Sequence, residues 1–172
     1  IWDAFCHSPG HIAHEETGDT ACDGYRRMDE DVAILKSLGL SAYRFSVSWP
    51  RVMPEGRGRI NEKGLAYYDR LVDSLLKNEI TPFLTLYHWD LPEMLQKEGG
   101  WQNRRTAEAF ADYAAVIAKH FDGRVLHYIT LNEPQCFIGL GYGDGIHAPG
   151  LKLGTDELLL CVHNALLAGG LG

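Results

Sequence analysis

No stretch of the 172-residue chain approaches the roughly eighteen uncharged apolar residues that a membrane-spanning helix needs. Nor is there a basic stripe. Sixteen Lys and Arg stand against 23 Asp and Glu, a formal net charge of −7, and a nucleic-acid surface needs the opposite bias. The basic pairs Arg26-Arg27 and Arg104-Arg105 fall in predicted helices or their first turns, where solvated helix faces account for them. Cys6, Cys22, Cys136 and Cys161 form no C-x-x-C pair and no short repeat. That excludes a disulfide scaffold and a thiolate zinc site, and it suits a reducing compartment. A cytoplasmic location is therefore expected, with any signal segment lying upstream of Ile1. No Gly/Ser linker or low-complexity tract divides the chain, so residues 1–172 read as one domain. No G-x-G-x-x-G follows a predicted strand, which removes the main marker of a dinucleotide fold. No cofactor is expected.

What is present is alternation. Residues 25–38 place Met28, Val32, Leu35 and Leu38 at helical spacing, and Gly39 ends the helix. The run 41–49 reads as a strand. Asn61 is placed to cap a second helix that buries Leu65, Tyr68, Leu71, Val72 and Leu75. Residues 80–89 form a second strand, nearly continuous in apolar residues, as expected when both sheet faces are covered. Asp90 to Glu93 resembles a capping box for a short helix. A longer helix over 103–121 turns Ala107, Phe110, Ala114 and Ile117 inward, and residues 124–131 form a third strand. Thr155 is expected to cap a last helix. Strand ends near 49, 89 and 132, with helices in every gap, are the pattern of βαβ units and a parallel sheet. An open doubly wound sheet and part of a (β/α)8 TIM barrel both fit, and the barrel is favoured. Polar and aromatic chemistry gathers at the strand C-termini, where barrel sites are built: Trp49, His88-Trp89-Asp90 and Asn132-Glu133.

Glu133, pinned between Asn132 and Pro134 after an apolar run, reads either as a turn carboxylate or as a general acid. Pro134 biases it toward an extended backbone. Tyr128, Leu131 and Phe137 are near enough in sequence to supply the apolar setting that raises a carboxyl pKa. His88 and Trp89 read as a structural pair or as a sugar platform, with Asn132 binding hydroxyls. Arg44 interrupts an otherwise apolar strand. An unpaired buried charge is costly, so Arg44 calls for a carboxylate partner, or else for an exposed edge strand. His7, His11 and His14 make a loose histidine cluster. Pro9 and Gly10 break any helix between them, which argues against a zinc-type arrangement, and no metal is expected.

Taken in series, "YRFSVSWPR" (43–51), "YHWDLP" (87–92), "GGW" (99–101), "TLNEP" (130–134) and "GYGDGIHAPG" (141–150) resemble family 1 of the glycoside hydrolases, the β-glucosidase family. The resemblance covers essentially the whole chain. It implies a (β/α)8 barrel, of which this chain would supply about strands two to four with helices one to four. It also implies retaining hydrolysis of β-glycosides by two glutamates. By position, Glu133 matches the acid/base, Asn132 the residue binding the sugar 2-hydroxyl, and His88 and Trp89 sugar-binding residues. Arg44 matches the arginine beside the nucleophile. The family's nucleophile motif, "TENG"-like, and its first-strand "YQIEG"-like motif do not occur. Gly24 and the "LLAGGLG" terminus also depart from the family pattern. Two readings follow: a segment of a retaining β-glycosidase that needs the remainder of the barrel for activity, or a non-catalytic half-barrel that binds sugar or assembles with the missing half.

Overall fold

The computed structural model of the chain describes residues 1–172. A short helix α1 (Trp2–Cys6) leads through a loop to α2 (Gly24–Ser37) and strand β1 (Ala42–Ser46). Helices α3 (Trp49–Val52) and α4 (Glu62–Lys77) connect β1 to β2 (Thr81–Tyr87). Helices α5 (Glu93–Lys97) and α6 (Arg104–His120) connect β2 to β3 (His127–Leu131). After β3 come α7 (Pro134–Ile138), a π-turn over Gly139–Gly143, and α8 (Thr155–Leu171). The three strands form one parallel sheet in the order β1-β2-β3, with Arg44 opposite Phe83 and Phe83 opposite His127. All three strands therefore end on one edge, which is where β-strand C-termini gather side chains for a site.

The helices form where the apolar periodicity places them. All five predicted core residues of α4 are buried, as are Ala107, Phe110, Ala114 and Ile117 of α6. Gly39, at φ 70°, ends the turn after α2 in a conformation that favours glycine. Asn103 caps α6 by accepting from the Arg105 N–H at 3.0 Å.

Several local expectations are corrected. Leu38 is 67% exposed, because α2 ends at Ser37 before its last apolar position reaches the core. Asn61 sits at the N-cap of α4 but makes no cap. Its amide instead donates to the Arg51 carbonyl at 2.9 Å, tying α4 to α3. Thr155 is the first residue of α8 rather than its cap, and Glu157 reaches back to the Gly154 N–H at 3.2 Å. The strand at 41–49 ends at Ser46, and Trp49 opens α3 with Pro50 in its first turn. Asp90 does not cap α5. Its carboxylate accepts from the Trp2 N–H at 3.2 Å, at the start of α1.

Trp49 is the pivot of the core. It is fully buried and stacks on Tyr113 at 5.0 Å, with Phe110 edge-on at 5.7 Å. Tyr113 O–H donates to the Leu86 carbonyl of β2 at 2.9 Å, so the aromatic layer is hydrogen-bonded to the sheet it covers. Tyr87, where β2 ends, packs edge-on against Trp101 and Phe137, and its hydroxyl accepts from the Trp101 indole N–H at 3.2 Å. Burial pushes the Tyr87 and Tyr113 phenols well above their usual range, so both stay protonated. Asn164 of α8 donates to the Trp101 carbonyl at 2.9 Å, fixing the last helix to this layer.

Candidate active site

Arg44 and Ser46 share one face of β1, two residues apart. Thr85 lies on that face of β2 and is fully buried. His88 and Trp89 follow β2, and Asn132 and Glu133 follow β3. The parallel register carries the β3 end alongside the β2 end: Tyr87 pairs with Leu131, and the Asn132 N–H donates to the Tyr87 carbonyl at 2.9 Å. The five residues singled out from the sequence, Arg44, His88, Trp89, Asn132 and Glu133, are thus brought to one rim.

A continuous set of hydrogen bonds links the first four of these. Arg44 Nε donates to Thr85 Oγ1 at 2.9 Å, and its guanidinium also donates to Asn132 Oδ1. Asn132, only 7% exposed, faces His88 Nε2 with its amide nitrogen at 3.3 Å. The other ring nitrogen of His88, Nδ1, lies 2.9 Å from Ser46 Oγ. The Trp89 indole N–H donates to the Asn132 carbonyl at 2.8 Å, so the indole is held over the β3 end. Ser46 and Thr85 were not foreseen as site residues. The period-two alternation from Arg44 could have pointed to Ser46.

Two rim residues adopt left-handed backbone. Trp89 has φ 73°, and Glu133 has φ 44° with ψ 69°. The extended conformation expected for Glu133 from Pro134 is not what forms. The chain must turn from β3 straight into α7 with Pro134 in its first turn, and the left-handed residue makes that turn. Such non-glycine positions cost about 1–3 kcal/mol each and cluster at functional sites.

Glu133 is exposed, and the apolar pocket expected around it is not formed by this chain alone. Phe137 is buried against Tyr87 and Trp101, and Tyr128 is itself 36% exposed. The Cys136 thiol, one turn on, is pushed up by burial and by its hydrogen bond to the Glu133 carboxylate. His88 is held below its usual value first by partial burial and then by the Arg44 charge, with Glu133 acting the other way.

Arg44 is exposed rather than buried, since β1 is an edge of this sheet and its site face is open. Its partners are the Thr85 hydroxyl and the Asn132 amide, not a carboxylate. Trp49, expected at the rim, belongs to the core beneath it. His147, within the "GYGDGIHAPG" stretch, was not singled out. It packs between Trp89 at 5.5 Å and Trp2 at 5.4 Å, and its Nδ1 is buried without a hydrogen-bond partner. The histidine trio near the start does not converge. His11 stacks on Phe5 at 4.4 Å, while His7 lies with Asp3 and Asp19 in an exposed group whose potential ligand atoms fall within 4.8 Å. No helix is long and apolar enough to cross a membrane.

Comparison with known proteins places this chain in a family. A 1,4-beta-D-glucan glucohydrolase of Thermotoga neapolitana is 53% identical over 168 residues, covering 98% of this chain and 39% of that protein. Beta-glucosidase A of Thermotoga maritima is 51% identical over 168 residues, again 98% of this chain and 37% of the relative. Among solved structures, the beta-glucosidase from Thermotoga maritima in complex with azafagomine superposes with a TM-score of 0.96 at 49% identity, covering 99% of this chain and 39% of that one. The chain therefore spans about two fifths of the length of these relatives, and its fold is part of their TIM barrel. The sequence model of "Glycosyl hydrolase family 1" matches residues 1–172, and the chain belongs to that family.

Proposed function

We propose that these 172 residues supply the acid/base side of the active site of a retaining β-glucosidase, with Glu133 as the acid/base. The observation that carries the reading is the rim itself. A lone carboxylate, Glu133, stands at the end of β3 next to an amide, an imidazole and an indole held in one hydrogen-bonded set. In this account Glu133, as the carboxylic acid, protonates the glycosidic oxygen as the aglycone leaves. A second carboxylate, outside this chain, attacks the anomeric carbon to form a glycosyl-enzyme. Glu133, now a carboxylate, then takes a proton from water, and the hydroxide equivalent releases the sugar with retained configuration. Retaining chemistry needs the two carboxyl groups about 5–5.5 Å apart. Asn132, His88 and Trp89 bind the sugar, the first two through its hydroxyls and the indole through its apolar face. Arg44 lies where it can also orient the second carboxylate, since its guanidinium is exposed on the open face.

The substrate class is a terminal β-glucoside, supported by the names of the two Thermotoga relatives. The remainder of the barrel is needed both for the nucleophile and to cover the β1 and β3 edges. The experiment is product stereochemistry. The full-length enzyme, given an aryl β-glucoside in an NMR tube, should release β-glucose first, with the α-anomer growing in only by mutarotation. Initial release of α-glucose would rule out the double displacement.

A further inference from the structure

The rim hydrogen bonds have a direction, and Arg44 sets it. A guanidinium can only donate, so the Asn132 side-chain atom against it must be the carbonyl oxygen. The Asn132 amide nitrogen is then the group facing His88 Nε2 at 3.3 Å. An N–H pointing at a ring nitrogen needs a lone pair there, so Nε2 is unprotonated. The neutral imidazole must carry its hydrogen on Nδ1, which lies 2.9 Å from Ser46 Oγ, and the serine oxygen accepts it. A doubly protonated ring would set two donors against each other at Nε2, beside the Arg44 charge and opposed only by Glu133.

We propose that Arg44, acting through Asn132, is the positioning residue that holds His88 in its Nδ1–H tautomer, with Ser46 Oγ accepting that N–H, so that Nε2 meets the ligand as a hydrogen-bond acceptor. The Asn132 to His88 contact is long for such a bond, and a ligand hydroxyl can replace it by accepting from the Asn132 N–H and donating to Nε2. A hydroxyl does both. Fluorine and ether oxygen can only accept, so they satisfy Asn132 and leave Nε2 unpaired. The ligand half of the proposal rests on the sugar-binding reading above, whereas the tautomer half does not.

The test uses the full-length enzyme labelled with 15N-histidine. The His88 ring should show a protonated Nδ1 and a bare Nε2. Arg44→Met, which frees the Asn132 amide to turn its oxygen toward His88, should move the ring toward the Nε2–H form, and Arg44→Lys, which can only donate, should keep the wild-type pattern. Ser46→Ala should leave Nε2 bare, because the Asn132 N–H still points at it, and a packing role for Arg44 alone would not move the tautomer. In parallel, the Kd of glucose and of analogues in which each hydroxyl in turn is replaced by hydrogen or by fluorine is measured by calorimetry, which keeps fluorine's electron withdrawal from the reacting carbon out of the readout. At the position facing His88 the fluoro analogue keeps the Asn132 bond and should lose about 3–10-fold for the one missing neutral hydrogen bond, and the deoxy analogue, which leaves both groups unpaired, should lose more.

An Nε2–H ring in the wild type, an Arg44→Met ring that keeps Nε2 bare, or a fluoro analogue that binds at that position as well as the parent overturns the proposal. A bare Nε2 in an enzyme that hydrolyses no aryl β-glucoside overturns the glycosidase reading and its ligand half, and upholds the assignment of Arg44.

Discussion

Replacing Arg44 by Met separates two accounts of this residue. If the charge were buried against a carboxylate, its loss would leave that carboxylate unpaired, at a cost of roughly 3–5 kcal/mol. In this chain Arg44 is exposed, and what it satisfies is Asn132 Oδ1 and Thr85 Oγ1, on residues 7% and 0% exposed. The methionine stem keeps the apolar part of the side chain but offers no donor. Thr85 can rotate its hydroxyl, whereas the Asn132 side-chain amide is left with one polar end unpaired whichever way it turns, since only His88 Nε2 remains beside it. The expected loss is therefore that of one orphaned buried polar group, about 1–3 kcal/mol. For a domain of this size that corresponds to a fall of roughly 2–12 °C in Tm. Urea unfolding at matched concentration should show a lower midpoint at unchanged slope. The double variant Arg44→Met, Asn132→Leu should recover part of the loss, because no buried oxygen is left unpaired. An unchanged midpoint in Arg44→Met would refute the reasoning, and so would a double variant that loses the sum of both singles.

Two further outcomes follow from the same structure. Gly64→Ala should destabilise by about 1–3 kcal/mol, the usual scale of overpacking, because the added methyl would strike the Arg51 carbonyl where α4 rests on α3; thermal unfolding reads it, and an unchanged Tm would show that the two helices give way. The 172-residue chain alone should not turn over an aryl β-glucoside and should self-associate through its β1 and β3 edges; light scattering with a chromogenic assay reads both, and turnover by a monodisperse monomer that vanishes in Glu133→Gln would contradict it.

The helices and the order of strands were legible because their signal is local. Apolar residues recurred at helical spacing over α4 and α6, and burial followed. What was not legible depended on competition between distant groups. Asn61 has a good capping side chain, but the Arg51 carbonyl claims it. Asp90 looks like a cap for α5 and is taken by the α1 backbone. Trp49 looked like a rim residue because its strand appeared to run on to it, whereas β1 ends at Ser46. At the rim, the conspicuous residues stood out in the sequence, whereas Ser46 and Thr85 did not, since a small hydroxyl in a strand carries no signal until its partner is known. The burial of Arg44 and the apolar setting of Glu133 were both inferred as if the sheet were closed. In this chain β1 and β3 are edges, and both side chains face solvent.

The central claim is that Glu133 donates and later accepts the catalytic proton. Glu133→Gln in the full-length enzyme, assayed by stopped flow against two aryl β-glucosides, tests it directly. With a poor leaving group, which needs protonation, the first step should slow by about 10²–10⁴-fold. With a very acidic leaving group, which departs unaided, the first step should stay fast and give a burst of phenol, while turnover falls because no base activates water. Equal slowing of the first step for both substrates would contradict the assignment and place the acid elsewhere.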